Sequence, residues 1–289
     1  MTREVRHLQP PKDFKERLYR WRYVIARRVV QFALLTLFMG TARWGWNLFG
    51  VTLLDGDLST SHLLNVIPLS DPFAAIQRFA AQYWLSWESL LGALIVLAFY
   101  TIVSGRTFCS WVCPMNLVTD FAAWLRKVLG IKTELLHLPN WIRYVMMVLA
   151  IIVSFTSGVA AFEAFSPQAM IWREAVYGVG MGLISAVFGI LAFDLVLLKR
   201  GWCGHICPLG AFWACVGRFG QVKVSYDDET CTKCGDCLKV CPEPQVINFK
   251  KAAEKGMFVS GECTNCGKCI TICPEKSLQF ALRCKVNKK

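Results

Sequence analysis

The 289-residue sequence is poor in charge, and poorest in negative charge. Charged residues make up 18% of the chain, and 20 Asp and Glu stand against 32 Lys and Arg, which gives a net charge of +12. A soluble globular domain carries about 25% charged residues, so this composition is not that of an ordinary soluble domain. No glycine-rich phosphate loop, dinucleotide fingerprint or Ser/His/Asp arrangement is present, which excludes the enzyme classes that depend on those motifs.

Long apolar runs take the place of the missing charge. Hydrophobic residues form 55% of the chain, and the mean hydropathy is +0.41. Four stretches have the length and composition of membrane-spanning helices: residues 24–43, 84–103, 142–162 and 177–198. The second contains Glu88 one turn from its start. A large soluble helical core is the alternative, but it would need four unusually long apolar helices in one small domain.

Basic residues predict the orientation of these spans. The chain around the start of the first span is rich in Lys and Arg, whereas Arg78 is the only Lys or Arg in the loop of residues 50–83. The positive-inside rule then places both chain termini in the cytoplasm. The same asymmetry accounts for most of the net charge, so we expect no nucleic-acid partner. We expect no cleavable signal peptide, because the first apolar run follows a long charged segment.

Eight of the fourteen cysteines form two copies of the pattern Cys-x2-Cys-x2-Cys-x3-Cys-Pro. Bacterial ferredoxins bind two [4Fe–4S] clusters with this spacing, and the fourth cysteine of each copy ligates the other cluster. The predicted ligands are Cys231, Cys234, Cys237 and Cys273 for cluster 1, and Cys263, Cys266, Cys269 and Cys241 for cluster 2. Zinc is the alternative, but zinc ribbons use separate Cys-x2-Cys pairs. The pattern therefore predicts electron transfer.

A second cysteine motif occurs twice in the apolar part of the chain. Arg106-Thr-Phe-Cys109-Ser-Trp-Val-Cys113-Pro matches Arg200-Gly-Trp-Cys203-Gly-His-Ile-Cys207-Pro as Arg-x-aromatic-Cys-x3-Cys-Pro. Each copy follows an even-numbered span and precedes a short amphipathic stretch. We therefore expect the four transmembrane helices to form two parallel two-helix repeats, related by an axis along the membrane normal. Such an axis would bring the four motif cysteines together.

Three roles are open for Cys109, Cys113, Cys203 and Cys207. A Cys-x3-Cys pair on a helix would place both sulfur atoms on one face, one turn apart. Two facing pairs would supply four thiolates, enough for a third iron–sulfur centre or one metal ion. A redox-active dithiol or disulfide is the second interpretation, and buried structural cysteines are the third. Cys215 and Cys284 fall outside every motif and are interpreted as incidental thiols.

These patterns predict an α-helical membrane protein with four transmembrane helices and a C-terminal α+β domain of the bacterial 2[4Fe–4S] ferredoxin type. The expected parts are a basic cytoplasmic segment at 1–23, a transmembrane domain at 24–221 and a cytoplasmic ferredoxin domain at 222–289. Within the last, Val246–Phe249 and Met257–Ser260 resemble the strands of a hairpin. Asp71-Pro72 has the residues of a helix start.

Four spans, two Cys-x3-Cys-Pro motifs and a C-terminal pair of [4Fe–4S] motifs together resemble the NapH-type ferredoxin proteins of periplasmic nitrate reduction. Related four-span membrane ferredoxins of the NosR and MauN kind serve nitrous oxide and methylamine respiration. The resemblance implies a multi-pass protein of the bacterial inner membrane that acts as a subunit of a quinol dehydrogenase. It also implies that electrons pass to a periplasmic iron–sulfur partner of the NapG type and then to nitrate reductase.

Quinol oxidation needs a proton-accepting group near an electron acceptor. Asp194 in the fourth span and His205 inside the second repeated motif are the candidates, because ionisable residues at membrane depth are costly and mark functional sites. The alternatives are an ion pair of Asp194 with Arg106 or Arg200, and an ordinary interfacial histidine. Two other functions stay open for the whole chain. One is an accessory reductase that keeps a metal centre of a respiratory enzyme reduced, and the other is a membrane redox sensor.

Overall fold

The computed structural model describes residues 13–48, 51–52, 54–56, 59–131, 133–178 and 180–283. The basic residues that precede Asp13, and Cys284, lie outside the described residues. The chain forms two compact units. Of the described residues, those within 13–30, 100–112 and 213–283 form the first unit, and those within 31–99 and 113–212 form the second. The first unit therefore combines the expected ferredoxin domain with one copy of the repeated cysteine motif.

Helices make up most of the described chain. They are α1 (Phe14–Trp44), α2 (Pro72–Ala80), α3 (Trp87–Val103), α4 (Thr107–Trp111), α5 (Met115–Val128), α6 (Ile142–Ser157), α7 (Ala161–Phe165), α8 (Pro167–Tyr177), α9 (Met181–Ala192), α10 (Pro208–Gly217), α11 (Asp236–Val240), α12 (Phe249–Lys255) and α13 (Lys268–Ile272). Two π-helical turns follow α9, at Phe193–Leu197 and Trp202–Ile206, and Pro244–Val246 form a 3-10 turn.

The strands form small antiparallel sheets. They are β1 (Asn47–Leu48), β2 (Val51–Thr52), β3 (Leu54–Gly56), β4 (Thr60–Leu63), β5 (Ile67–Ser70), β6 (Val222–Tyr226) and β7 (Leu278–Leu282). β1 pairs with β2, β4 lies between β3 and β5, and β6 pairs with β7. The sheet of β3 to β5 lies in the loop that precedes α2, in the second unit, and β6 with β7 lies in the first.

The apolar runs of the sequence are helical, but most of their helices are short. α1 has 31 residues and is the one described helix that is long and apolar enough to cross a bilayer. α3, α6, the continuous run Met181–Leu197 and α10 are apolar helices of 10–17 residues. The predicted run 142–162 is interrupted because Gly158 has a φ of +66° and ends α6 at Ser157, as a left-handed glycine commonly does.

Polar side chains fix the starts of helices in the second unit. The carboxylate of Asp71 accepts the N–H of Phe73 at 2.9 Å, and Pro72 opens α2, which confirms the predicted helix start. The carboxylate of Glu174 accepts the N–H groups of Gly180 and Leu183, each at 2.7 Å, where α9 begins. These side chains satisfy backbone donors that a helix N-terminus leaves without partners.

Two aromatic rings pack against each other where α1 and α8 meet in the second unit. Trp172 of α8 is 1% exposed and packs edge to face on Phe38 of α1, with 4.9 Å between the ring centroids. Leu54 of β3 completes this buried cluster. The contact between α1 and α8 therefore includes the loop that carries β3.

The core of the first unit lies under the β6–β7 pair. Val222 stands opposite Leu282, and Tyr226 stands opposite Leu278. Buried apolar side chains fill one side of this pair, among them Val224, Tyr226, Phe258, Ile270 and Leu278. Most of the ferredoxin cysteines pack against the same core.

The predicted hairpin of Val246–Phe249 and Met257–Ser260 is wrong. The side chain of Asn248 accepts the N–H of Lys251 at 3.1 Å, and Gly256 has a φ of +62°, so the residues between them form α12. Both ends of this short helix are thus fixed by local capping. Met257 forms an isolated bridge with Ser225 instead.

Candidate iron–sulfur centres

The two ferredoxin motifs fold in the same way. The residue after the second cysteine is a glycine with positive φ, +80° at Gly235 and +73° at Gly267, and a short helix with the third cysteine follows. The fourth cysteine stands before a proline, which disfavours the α conformation in the residue before it. Cys241 and Cys273 are accordingly extended, with ψ values of 129° and 115°. The chain therefore leaves each helix at its fourth cysteine.

Three cysteines of the first motif share a pocket with the last cysteine of the second. The sulfur-bearing residues that line it are Cys231, Cys234, Cys237 and Cys273. Burial raises the pKa of the Cys237 thiol to about 11, and its neighbours Cys234, Cys231 and Cys273 add to the rise. A raised pKa favours the protonated thiol, whereas a bound cation favours the thiolate because it stabilises the negative charge. The donor set and the pocket fit thiolate ligation of an iron–sulfur cluster.

The other four ferredoxin cysteines are also close enough to affect one another. Burial raises the pKa of Cys269 well above its usual value, and Cys266, Cys263 and Cys241 add to the rise. Burial likewise raises the pKa of Cys241 to about 12, with Cys266 its strongest cysteine neighbour. Cys266 is buried, whereas Cys234, at the same place in the first motif, is exposed. The set expected for cluster 2 is therefore the more enclosed of the two.

Arg106, from the first copy of the repeated motif, is buried in the first unit. Its side chain is 2% exposed, and its guanidinium pairs with the carboxylate of Glu243 at 2.9 Å. It also donates to the carbonyl of Glu262, the residue before Cys263, at 3.0 Å. The arginine of the motif thus contacts the backbone beside the predicted cluster 2 ligands.

Two further side chains of this segment contact the same loop. The hydroxyl of Ser110 donates to the carbonyl of Thr264 at 2.6 Å, and Trp111 Nε1 donates to the carbonyl of Asn265 at 3.1 Å. These partners lie 154 residues apart in sequence, so the cysteine patterns alone do not predict the contact. Residues 104–112, which we call the docking segment, therefore pack against the loop between Cys263 and Cys266.

The repeated motif does not place both of its cysteines on one regular helix. α4 ends at Trp111, before Cys113, and the second π-helical turn ends at Ile206, before Cys207. Each of these cysteines precedes a proline, and Cys207 is extended, with a ψ of 112°. The expectation of two sulfur atoms on one helical face is therefore wrong, for the same pre-proline reason that shapes the ferredoxin motifs.

The repeated-motif cysteines are divided between the units. Cys109 belongs to the first unit, and Cys113, Cys203 and Cys207 belong to the second. The thiol of buried Cys113 donates to Gln168 Oε1 at 3.3 Å. Among the described residues, no three His, Cys, Asp or Glu side chains lie close enough together to hold a single metal ion. This result concerns a single metal ion, because the four thiolates that bind a four-iron cluster lie farther apart than those that bind one ion.

Asp194 and His205 lie in the two π-helical turns of the second unit. Asp194 is 1% exposed, and its Oδ1 accepts the N–H of Trp202 at 3.0 Å. Arg200 pairs with Asp120 at 2.5 Å. His205 is half-buried. This hydrogen bond of Asp194 joins the first π-helical turn to the second.

A buried arginine that sequence reasoning missed supports the first π-helical turn. Arg126 of α5 is 4% exposed and donates to the carbonyls of Leu195 at 2.8 Å and Asp194 at 3.2 Å. π-helical turns leave backbone carbonyls without their usual partners, and a guanidinium has donors to satisfy them. The position of Asp194 is therefore fixed from outside its own helix.

Two known protein families match this chain. The family described as a 4Fe-4S binding domain matches residues 85–132 and 179–226, and each range contains one copy of the repeated motif. The family described as a 4Fe-4S dicluster domain matches residues 223–274, which contain all eight ferredoxin cysteines. The chain therefore carries ferredoxin-type 4Fe-4S domains.

Relatives among known proteins match about four fifths of the chain. The methylamine utilization ferredoxin-type protein MauN of Methylobacillus flagellatus is 39% identical over 231 residues, 80% of this chain and 79% of that protein. The ferredoxin-type protein NapH of Escherichia coli is 37% identical over 232 residues, with coverages of 80% and 78%. NapH of Haemophilus influenzae is 38% identical, with coverages of 82% and 81%. No solved structure matches the chain.

Proposed function

This chain belongs to the family of NapH- and MauN-type ferredoxin proteins, and from that premise we propose that it is a membrane-bound subunit that oxidises quinol and passes on the electrons. The observation that carries the proposal is the position of the docking segment. It follows directly on the apolar helix α3 and packs in the first unit against the loop between Cys263 and Cys266. An apolar helix followed by a segment that contacts a predicted cluster-binding loop supports electron transfer from a membrane substrate.

The eight ferredoxin cysteines hold clusters 1 and 2 in this proposal. Cluster 1 is bound by Cys231, Cys234, Cys237 and Cys273, and cluster 2 by Cys241, Cys263, Cys266 and Cys269. The shared pocket of the first set and the mutual influence of the second set support this crossed assignment. When bound, each cluster accepts and donates one electron at a time. The ligand set proposed for cluster 2 contains the buried Cys266, and the set proposed for cluster 1 contains the exposed Cys234.

In this proposal α1, α3, α6 and α9 cross the bacterial inner membrane, with both termini in the cytoplasm. These helices expose large apolar side chains: Phe32 55%, Phe99 56%, Ile102 64%, Ile152 53% and Phe188 64%. Soluble monomers rarely expose extended apolar surface, and a bilayer would cover it. The asymmetry of basic residues between loops supports the orientation. Alkaline phosphatase activity from a fusion after Lys289 would contradict it.

Asp194 and His205 accept the quinol protons in this proposal. Each quinol that is oxidised releases two electrons and two protons, so a base must lie beside the electron acceptor. Oδ2 of Asp194 is buried and has no hydrogen-bond partner among the described residues, which leaves it available to a quinol hydroxyl. π-helical turns are frequent at functional sites, and each of these residues lies in one.

Cys109, Cys113, Cys203 and Cys207 ligate a third redox centre in the path from quinol to cluster 2 in this proposal. The support is the repeat itself and the match of both copies to one 4Fe-4S family. Cys113→Ala and Cys207→Ala should each stop quinol-dependent reduction of clusters 1 and 2 while both stay assembled. The loss of one ligand disables a shared site, so the double variant should be no worse than either single variant.

Electron paramagnetic resonance after addition of quinol to each purified variant tests this third centre. Cys215→Ala, which removes an exposed cysteine outside every motif, is the matched control and should behave as the unmodified protein. Full quinol-dependent reduction in Cys113→Ala or Cys207→Ala would reject the relay. Additive partial losses would show two separate sites.

The electrons then pass to a periplasmic iron–sulfur partner of the NapG type and on to a nitrate reductase in this proposal. The MauN relatives are as similar to the chain as the NapH relatives, which favours a second candidate, electron supply for methylamine utilization. Disruption of the gene in its host separates the two. Lost nitrate reduction supports the first, lost growth on methylamine supports the second, and retention of both contradicts both.

A further inference from the structure

Lys223 on β6 is a buried cation without a carboxylate partner. Its side chain is 1% exposed, whereas lysine is almost never fully buried unless it is paired. Nζ donates to the carbonyl of Gly217 at 2.6 Å and to that of Ser260 at 3.3 Å. Among the described residues, no Asp or Glu lies within ion-pair distance of it. Burial of an ammonium group is costly unless another charge compensates it.

The position of Lys223 directs this charge towards the predicted cluster 2 ligands. Nζ of Lys223 contacts the carbonyl of Ser260, which precedes Cys263 by three residues. Burial lowers the pKa of Lys223, and Cys263 opposes that change. Burial in turn raises the pKa of Cys263 to about 11, and Lys223 opposes that rise. The contact of Nζ with the carbonyl of Ser260 and these opposed shifts agree in placing the ammonium beside the chain that leads to Cys263.

Two other cations near the predicted clusters have carboxylate partners. Arg106, which is also buried beside cluster 2, forms its ion pair with Glu243 at 2.9 Å. On the cluster 1 side, Lys233 is 62% exposed and pairs with Asp228 at 3.2 Å, so water and a carboxylate screen its charge. Lys223 differs from both because it is buried and hydrogen-bonded to neutral carbonyls alone.

We propose that Lys223 is the counter-charge of cluster 2 and makes that cluster the more easily reduced of the two. The inference rests on the ligand sets of the proposed function and extends it to the order of electron transfer. Each reduction adds one negative charge to a cluster, and net charge near a cluster sets its potential. A buried ammonium stabilises the added charge because the protein interior screens it weakly.

The order of electron transfer follows from this difference. With both clusters bound, the ligand set of Cys241, Cys263, Cys266 and Cys269, beside the docking segment, would hold the cluster that takes the first electron from quinol, and the set with exposed Cys234 would hold the one that takes the second. Loss of the charge of Lys223 should lower the ratio of reduced to oxidised cluster 2 about tenfold at a fixed applied potential. For a one-electron couple this corresponds to a midpoint potential that is about 59 mV lower. Cluster 1 should keep its potential.

A redox titration of the full-length protein, followed by electron paramagnetic resonance, tests the proposal. Lys223→Gln keeps a hydrogen-bond donor for the two carbonyls and removes the charge. We expect cluster 2 to become harder to reduce by about tenfold, with cluster 1 unchanged. Lys233→Gln, which removes the exposed lysine, is the matched control and should leave both potentials unchanged. Unchanged cluster 2 behaviour in Lys223→Gln, or equal shifts of both clusters, would overturn the proposal.

A second measurement does not depend on the folding of a Lys223 variant. In the unmodified protein, the first signal to appear on reduction should be the one that Cys266→Ser alters and Cys234→Ser leaves intact. The reverse assignment would overturn the proposal even if Lys223→Gln failed to assemble its clusters. An iron count that shows fewer than two clusters in the unmodified protein would instead reject the ligand sets of the proposed function.

Discussion

At the residue scale, each ferredoxin cysteine is predicted to hold one iron of one cluster. Cys234→Ala should remove cluster 1 and Cys266→Ala should remove cluster 2, because an iron without its thiolate is open to water. Of about eight irons in residues 222–289, each variant should lose about four, measured by an iron assay together with the signal of the remaining cluster. Cys215→Ala should keep all of its iron. Stoichiometric zinc in residues 222–289 would contradict the account.

The buried ion pair of Arg106 and Glu243 joins the docking segment to the ferredoxin fold. The two side chains are 2% and 8% exposed, so removal of one leaves the other as a buried charge without a counter-ion. Arg106→Met should therefore lower the free energy of unfolding of the first unit by about 3–5 kcal/mol. The denaturant midpoint of the cluster absorbance reports this change.

An exposed ion pair in the same unit provides the control. Arg20 and Glu16 stand 2.5 Å apart on α1 and are 23% and 44% exposed, so Arg20→Met should cost less than about 1 kcal/mol. Adding Glu243→Gln to Arg106→Met should recover part of the loss, because the unpaired charge disappears. If Arg106→Met costs no more than Arg20→Met, the ion pair does not stabilise the first unit.

At the scale of elements, the two motif glycines differ in what surrounds them. Gly235 and Gly267 both have left-handed backbones, but a Cβ on Gly267 would lie 2.4 Å from the ring of Tyr23 on α1, and one on Gly235 would contact nothing within 4 Å. Gly235→Ala should cost about 1–2 kcal/mol through backbone strain alone. Gly267→Ala should cost about 1–3 kcal/mol more through overpacking.

The same denaturant midpoint measures both glycine variants. In a Tyr23→Ala background the two substitutions should have similar costs, because the ring that Gly267→Ala would strike is gone. Equal costs in the unmodified background would show that α1 does not pack on the second motif.

Local chemistry predicted the start of α2 from the sequence, but local signals at α12 and at the repeated cysteine motif were missed. The start of α2 follows from Asp71 and Pro72, since a cap and a proline act on their own turn. The residues expected to form a hairpin around Phe249 instead contain α12, because Asn248 caps its start and the left-handed Gly256 ends it. The helical interpretation of Cys-x3-Cys failed at the proline, whose effect on the preceding residue was left out of it.

At the scale of the whole molecule, the cysteine spacing predicted the family and its chemistry better than the apolar pattern predicted the membrane spans. The NapH-type resemblance is confirmed, with NapH relatives at 37% and 38% identity. Cluster chemistry dictates the spacing of its ligands, so the motifs carry that information in a few residues. Arg106 and Glu262, which are in contact, lie 156 residues apart in the sequence. The residues around one of them do not indicate that the other is its partner. The division of the repeated motif between two units was likewise not predictable.

The proposed function depends on the transfer of electrons from quinol to the clusters. Its most direct test adds a quinol anaerobically to the purified full-length protein in detergent and follows the clusters by absorbance and electron paramagnetic resonance. The account predicts that quinol reduces the clusters without any other reductant and that two protons are released for each quinol consumed. Clusters that dithionite reduces fully but that quinol leaves oxidised would contradict it.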